Sequence, residues 1–144
     1  MKIVRAQAEA ILAHARGGYP FEVCGVLLGA PRADGRAVLV EAAVPVANRE
    51  TDKPRVRYRI ADEDLLRIQR ECRGQGREIV GFYHSHPDHP ARPSETDRGI
   101  AAQGLSDGVI HVVVGVEAGA RATATAWVFA DAKQGFEEEP FEVE

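Results

Sequence analysis

Residues 78–97 read EIVGFYHSHPDHPARPSETD, and they combine an apolar segment with a cluster of residue types that bind metals. The first seven residues are mostly apolar, β-branched or aromatic, which is typical of a buried strand that ends at His84. In an extended chain His84 and His86 face the same side, with their Cα atoms about 6.5 Å apart. Two imidazoles at that spacing can bind one ion at about 2.0 to 2.1 Å each.

The second half of this stretch predicts a stiff loop followed by a helix. Pro87, Pro90 and Pro93 disfavour helical backbone. Ser94, three residues before Asp97 and ahead of an apolar run, is typical of a helix N-cap. Asp97 then lies in the first helical turn and can turn back towards the histidines. Two nitrogens and one carboxylate oxygen leave a fourth tetrahedral position for water, which favours a catalytic zinc site over a structural one.

Each part of this pattern also has a purely structural interpretation. Ser94 and Asp97 can be only a capping pair, and an isolated His-x-His is a weak indication of a metal. Their combination in one proline-rich loop nevertheless favours a metal site. His89, three residues beyond His86, is interpreted as an exposed loop residue, although a role as a ligand or a substrate contact stays open.

A second segment, residues 19–29 (YPFEVCGVLLG), places Glu22 at the start of an apolar strand. By itself Glu22 can be only the solvated start of that strand. Together with His84-Ser85-His86-Pro87 and Pro93-Ser94-x-x-Asp97, however, the segment resembles the JAMM (MPN-plus) metalloprotease family. The pattern of that family is an early glutamate, then His-x-His-Pro, and later an aspartate. The match spans nearly the whole chain, and ten residues separate His86 from Asp97.

The resemblance implies a role for each residue of the pattern. His84, His86 and Asp97 would bind Zn²⁺. Glu22 would hold the zinc-bound water and act as the general base, and Ser94 would help to stabilise the oxyanion. The chemistry is consistent, because zinc lowers the pKa of bound water to about 7 and a nearby carboxylate can then take its proton at neutral pH.

The resemblance also implies a class of substrate. Eukaryotic members cleave isopeptide bonds to ubiquitin, usually with insertions or partner subunits for which a chain of 144 residues has little room. The chain is more similar to small prokaryotic members, some of which release groups from the C-terminal diglycine of ubiquitin-like sulfur-carrier proteins. A zinc isopeptidase or peptidase acting after a diglycine is therefore expected. The alternative is a non-catalytic MPN scaffold that binds a protein partner.

Hydrophobic periodicity predicts a single α/β domain, and the resemblance implies an MPN-like fold with a curved, mostly antiparallel mixed sheet flanked by helices. Helices are expected at residues 5–16, at 62–73 and from Ser94 onwards. Strands are expected at 22–29, 37–46, 55–60, 78–84, 109–116 and 121–130, with a turn at Gly104 and Asp107-Gly108. In residues 55–60 arginines alternate with apolar residues, which indicates either a protected sheet edge or an edge that pairs with an extended substrate tail.

The charge is distributed unevenly along the chain. The formal net charge is −4, and five of the 22 acidic residues lie within residues 137–144. The 18 basic residues therefore exceed the remaining acids by one. This distribution predicts a nearly neutral catalytic domain at residues 1–136 and an acidic C-terminal tail at 137–144, interpreted as a solvated end. Such a balance gives no support for nucleic-acid binding, which needs a basic face.

The remaining composition indicates an intracellular protein with one core. A hydrophobic content of 44% is enough to fill the core of one domain of this length. No apolar stretch approaches the roughly 20 residues that cross a bilayer, and the N-terminus lacks the features of a signal peptide. A cytoplasmic protein without membrane contact is therefore expected. Cys24 and Cys72 lie within apolar patterns and are interpreted as reduced core residues.

Overall fold

A computed structural model describes residues 1–30, 38–104 and 108–144. The described chain forms a mixed sheet of eight strands with helices against it, in the strand order β7-β6-β5-β4-β2-β3-β1-β8. The elements in chain order are β1 (Lys2–Ile3), α1 (Arg5–Gly18), β2 (Cys24–Ala30), β3 (Leu39–Val46), α2 (Asp62–Arg73), β4 (Glu78–Pro87), α3 (Glu95–Gln103), β5 (Ile110–Glu117), β6 (Arg121–Ala130), a short 3₁₀ helix (Asp131–Lys133), β7 (Gly135–Glu139) and β8 (Glu142–Val143).

Most predicted elements are confirmed, and the predicted α/β class with a mixed sheet and flanking helices is correct. Helix α2 occupies the predicted residues 62–73, and Ser94 is the N-cap of α3 as expected. Strand β4 is longer than predicted, since it runs through His86 to Pro87. The predicted start of a strand at Ala37 and the predicted turn residue Asp107 lie outside the described residues.

The two faces of the sheet carry two separate parts of the core. On one face α1 packs its buried side chains Ala8, Ile11 and Ala15 against the sheet, and Tyr83 of β4 belongs to this cluster. On the other face α2 packs Ile68 and Cys72 against a second cluster. Because side chains alternate along a strand, the neighbours of Tyr83 in β4 face α2 and α3. His84 and His86 therefore lie on the same face of the sheet.

Strands β4 and β5 run parallel, with His84 opposite Val113 and His86 opposite Gly115. The chain passes between these two strands through α3, so the N-terminus of α3 lies near the C-terminal end of β4. Four of the seven neighbouring strand pairs are antiparallel, as expected for a mostly antiparallel sheet. The crossover through α3 brings Asp97 close to the histidines.

Residues 55–60 do not form the predicted strand. Side-chain hydrogen bonds from Asn48 hold this segment in place of a strand ladder. Asn48 Nδ2 donates to the carbonyl of Arg57 at 3.1 Å, and Asn48 Oδ1 accepts from the backbone N–H of Arg59 at 3.0 Å. The segment in which arginine alternates with Val56, Tyr58 and Ile60 is therefore irregular, and Tyr58 and Ile60 are half-buried in it. Both interpretations that required a sheet edge here are wrong.

The C-terminal residues 137–144 pair in the sheet, and four of their five glutamates are exposed to solvent. The predicted boundary at residue 136 falls inside β7, which pairs with β6, and β8 pairs with β1. The N-terminal ammonium donates to the carbonyl of Pro140 at 2.7 Å. Phe136 packs edge-on against Phe129, and Phe141 packs against the core. The many glutamates give this segment a polar composition, although Phe136 and Phe141 attach it to apolar neighbours.

Two further sequence predictions bear on the chain as a whole. Cys24 and Cys72 are buried and free of disulfides, as expected. Within the described part of the chain, no helix has the length and apolar character needed to cross a membrane.

Candidate metal centre

His84 and His86 point their ring nitrogens at each other from the end of β4. The two Nε2 atoms are 3.0 Å apart, and both residues are buried. Strand periodicity puts the rings on one face, and the ring of Tyr58 stacks on that of His84 with centroids 4.5 Å apart. The predicted convergence of the two imidazoles is therefore present in the structure.

Asp97 completes a triangle of ligand atoms with the two histidines. Its Oδ2 lies 3.1 Å from His84 Nε2 and 3.2 Å from His86 Nε2. A capping box fixes this position, since Ser94 Oγ accepts the backbone N–H of Asp97 at 3.1 Å and Asp97 Oδ2 accepts that of Ser94 at 2.8 Å. Ser94 and Asp97 thus form the capping pair, and the same Asp97 oxygen lies against the two histidines. The two interpretations of this motif are compatible.

The triangle fits a single zinc ion. Ligands at about 2.0 to 2.1 Å from a tetrahedral centre lie about 3.3 Å apart, close to the 3.0–3.2 Å found among these three atoms. The Nδ1 of His86 donates to the carbonyl of Pro90 at 3.0 Å, so in the neutral ring Nε2 carries a lone pair. That lone pair points at another nitrogen and at a carboxylate oxygen, an arrangement that a bound cation would satisfy.

Burial and mutual contacts shift the pKa values of the three ligands. Burial lowers the pKa of His84. Burial also opposes the charged form of His86, but contact with Asp97 outweighs it and raises that pKa. Although burial favours a protonated carboxyl, contact with His84 and His86 holds the pKa of Asp97 well below its usual range. The Asp97 carboxyl is therefore ionised at neutral pH.

Glu22 lies beside this triangle, two residues before the start of β2. It is only 5% exposed, and its carboxylate belongs with His84 and His86 to a group of ligand atoms that all lie within 4.8 Å of one another. Burial raises the pKa of Glu22 to about 8; the charge of His86 opposes this rise and that of Asp97 adds to it. A buried carboxyl with a pKa near neutrality is suited to accept and return protons.

The backbone around Glu22 is anchored on both sides by residues that the sequence did not indicate. The N–H of Glu22 donates to Pro54 O at 2.8 Å, and its carbonyl accepts Asn48 Nδ2 at 3.1 Å. Ser85, the middle residue of His-x-His, faces away from the metal centre and accepts the N–H of Val23 through Oγ at 2.9 Å. The position of Ser85 between two candidate ligands is the signal that could have identified it.

The loop between the candidate ligands His86 and Asp97, residues 88–94, is held against β5 and its neighbours. Asp88 accepts the Tyr19 hydroxyl at 2.6 Å and the N–H of Ala118 at 2.8 Å. A Cβ on Gly115 would lie 2.9 Å from the carbonyl oxygen of His89, so only glycine permits this approach. His89 itself is exposed, as predicted, and lies outside the ligand triangle.

Two cavities of the described chain, which we call the larger and the smaller cavity, lie beside Glu22 and His84. A third, of about 560 Å³, is lined by Asp97 on another side of the metal centre. The larger cavity, of about 430 Å³, opens on the side of Glu22, His86 and Ser94. The smaller cavity, of about 180 Å³, lies beyond His84 and is largely apolar. His111 borders this smaller cavity, and its buried Nε2 has no hydrogen-bond partner among the described residues. The larger cavity gives a substrate access to Glu22 and Ser94 from solvent.

The fold and the site together define a domain of the JAB type. Residues 5–130 match the family model described as prokaryotic homologues of the JAB domain. The chain belongs to this family, as the resemblance to JAMM (MPN-plus) proteins predicted. A JAB1/MPN domain protein from Archaeoglobus fulgidus has the same fold, with a TM-score of 0.61 at 22% identity, covering 99% of this chain and 98% of the other.

Two relatives extend the comparison to proteins with named activities. A desampylase from Haloferax volcanii is 45% identical over 94 residues, which are 62% of this chain and 64% of the relative. A CysO-cysteine peptidase from Mycobacterium tuberculosis is 34% identical over 102 residues, which are 70% of this chain and 66% of the relative. The chain therefore matches slightly less than two thirds of each relative's length.

Proposed function

We propose that this chain is a JAMM-type zinc isopeptidase or peptidase. Its substrate would be a ubiquitin-like sulfur-carrier protein, and the bond cleaved would be the amide after the C-terminal diglycine. The observation that carries this proposal is the ligand triangle of His84, His86 and Asp97 with the buried carboxyl of Glu22 beside it. The similarity to a desampylase and to a CysO-cysteine peptidase supports the substrate class.

His84, His86 and Asp97 would hold the zinc ion. Bound there, zinc would supply a Lewis acid that lowers the pKa of water to about 7 and polarises the scissile carbonyl. Glu22 takes a proton from the attacking water and returns it to the nitrogen of the leaving amine. The anchored backbone of Glu22 keeps its carboxylate close to the ligands during both transfers.

Ser94 would donate a hydrogen bond to the oxyanion that forms at the scissile carbonyl. Its Oγ accepts the N–H of Asp97, which uses a lone pair and leaves the hydroxyl proton free. Ser94 is exposed and lines the larger cavity together with Glu22. Loss of one such donor typically lowers the rate by on the order of a hundredfold.

The alternative of a non-catalytic MPN scaffold is not favoured by the site. A scaffold needs neither a buried carboxyl with a raised pKa nor three ligand atoms in mutual contact. Both features carry a cost in stability that binding a partner does not require, since a buried ionisable group is expensive unless it is used or paired.

The proposal is tested with the full chain, loaded with one equivalent of zinc. A sulfur-carrier protein extended beyond its diglycine by one amino acid, or joined there to a lysine side chain, is the substrate, and mass spectrometry identifies the products. Cleavage after the second glycine is expected, with a loss of on the order of a hundredfold or more in Glu22→Gln. Full activity in Glu22→Gln would refute the proposed role of Glu22 as general base. No cleavage of either substrate would refute the proposed peptidase function.

A further inference from the structure

Three cationic side chains line the larger cavity beside Glu22. Lys53 and Arg57 belong to the segment that Asn48 anchors, and Arg92 belongs to the loop between the candidate ligands His86 and Asp97. We call these three residues the cationic cluster. None of them makes an ion pair within residues 1–30, 38–104 and 108–144. Several arginines elsewhere do, such as Arg98, which pairs with Glu95 on the exposed side of α3.

The acidic residues close to the cluster offset only part of its charge. Glu50 lies near enough to Arg57 to be influenced by its charge, but its Oε1 accepts the backbone N–H groups of Asp52 and Lys53. Among the residues that the structure describes, Glu22 is the one acidic residue that lines the cavity. The cavity therefore carries an excess of positive charge next to the reacting groups.

The backbone of the cationic cluster is fixed rather than free. The carbonyl of Lys53 accepts the N–H groups of Val56 and Arg57 at 3.1 and 2.9 Å, which forms a tight turn. The N–H of Arg92 donates to Pro90 O at 2.8 Å, the same carbonyl that holds His86. The backbone positions that carry the three charges are thus fixed before any substrate binds, which reduces the part of the entropic cost that comes from ordering the backbone.

The chemistry of the two sides of the scissile bond shows where an anion can come from. The acyl side is a diglycine, which has no charged side chain. A single amino acid on the leaving side has a free α-carboxylate two bonds from the leaving nitrogen. A lysine side chain on the leaving side has instead an apolar stem, and its own α-carboxyl is part of a peptide bond. The excess positive charge matches the first kind of leaving group.

We propose that the cationic cluster recognises the free α-carboxylate of a single amino acid joined to the diglycine terminus of the carrier protein. This inference rests on the proposed function and narrows its substrate class to aminoacyl adducts. The planar guanidinium groups of Arg57 and Arg92 suit a carboxylate, and Lys53 adds a point charge. A cavity of about 430 Å³ has room for one residue beyond the scissile bond.

Two substrates that differ by one charge test this inference. Both are the same carrier protein extended by one alanine, which ends in a free acid in one substrate and in a carboxamide in the other. The ratio of kcat/KM on the acid to kcat/KM on the amide is measured for the zinc-loaded wild type, for Arg92→Gln, and for the double variant Arg57→Gln/Arg92→Gln. Arg55→Gln is the matched control, since Arg55 lies in the same segment, stacks on Phe21 and does not line the cavity.

We expect the wild type to prefer the acid by about tenfold or more, as for a charge-assisted hydrogen bond. The preference should shrink in Arg92→Gln, approach unity in the double variant and persist in Arg55→Gln. Because a ratio is measured, a variant that merely folds less well does not imitate this result. The affinities of Glu22→Gln for the two substrates, measured by calorimetry, should show the same preference without turnover.

Other outcomes reject the inference in distinguishable ways. Equal rates on the acid and the amide in the wild type would remove the carboxylate subsite but leave the proposed hydrolysis intact. A preference for the acid that survives in the double variant would show that other residues recognise the carboxylate. Faster cleavage of a lysine isopeptide than of the alanine acid would reverse the proposed substrate class. Cleavage of neither substrate would reject the proposed function, and this inference with it.

Discussion

Replacing Glu22 by glutamine should change how the stability of the metal-free protein depends on pH. A carboxyl group whose pKa is higher in the folded state binds its proton more tightly there than in the unfolded chain. The stability that this proton contributes is fully present below the unfolded pKa, and it is lost as the pH rises towards the folded pKa. Glu22 has a pKa of about 8 in the fold, against 4.5 for the unperturbed group. Wild-type protein therefore loses stability across this window, whereas glutamine does not titrate.

The size of the effect follows from the width of the window. Each pH unit between the two pKa values corresponds to about 1.4 kcal/mol. Between about pH 6 and the folded pKa the window is roughly two units wide, which gives about 3 kcal/mol. The free energy of unfolding of Glu22→Gln minus that of wild type should therefore be larger at about pH 9 than at about pH 6, by about 3 kcal/mol. Metal-free protein is needed, because a cation at the neighbouring ligands would itself favour the carboxylate.

Urea unfolding in the presence of a chelator, at both pH values, measures this difference. The matched control is Glu50→Gln, because backbone N–H groups of Asp52 and Lys53 lower the pKa of Glu50 below both pH values. The free energy of unfolding of Glu50→Gln should differ from that of wild type by the same amount at both pH values. If the Glu22→Gln difference also changes by less than about 1 kcal/mol, burial has not raised the pKa of Glu22 and the reasoning is refuted.

Three further substitutions test the supports of the site. Ser85→Ala should lower the free energy of unfolding by about 1 to 3 kcal/mol in urea titration, because it removes the acceptor of the buried N–H of Val23; a loss near zero would contradict this. Gly25→Ala should destabilise by about 2 kcal/mol or more, since its Cβ would lie 2.1 Å from the Tyr83 ring; a double-mutant cycle with Tyr83→Ala should recover part of the loss, and strict additivity would argue against the clash. Asn48→Asp should speed hydrogen exchange in residues 53–59 and leave zinc affinity intact, because only the two amide donors are lost; unchanged exchange would show that Asn48 does not anchor the segment.

Local patterns were sufficient to predict the ligand side of the site. The apolar run into His84 and the Ser-x-x-Asp cap each have a short-range physical cause, namely strand periodicity and the unpaired N–H groups of a helix N-terminus. Their meeting in space depends on the parallel pairing of β4 with β5 through α3, which neither periodicity nor the resemblance predicted. Glu22 could be placed in the site only through the resemblance, because it lies more than sixty residues from His84 along the chain.

Two features were not predicted, because the contacts that fix them join residues outside the local pattern. Alternation in residues 55–60 indicates a strand, but Asn48 provides the hydrogen bonds that a strand partner would otherwise supply. Glutamates in residues 137–144 indicate a solvated end, but Phe136, Phe141 and the N-terminal ammonium hold this segment in the sheet. Composition averages over such contacts, so it cannot reveal them.

The most direct test of the central claim is hydrolysis in water enriched in heavy oxygen. The zinc-loaded protein is incubated with a carrier protein extended beyond its diglycine, and the released carrier is weighed intact and after digestion. The account predicts one heavy oxygen in the carboxylate of the terminal glycine, together with an unlabelled amine product, and neither product in Glu22→Gln within the same time. Cleavage at another bond, or labelling that persists undiminished in Glu22→Gln, would contradict it.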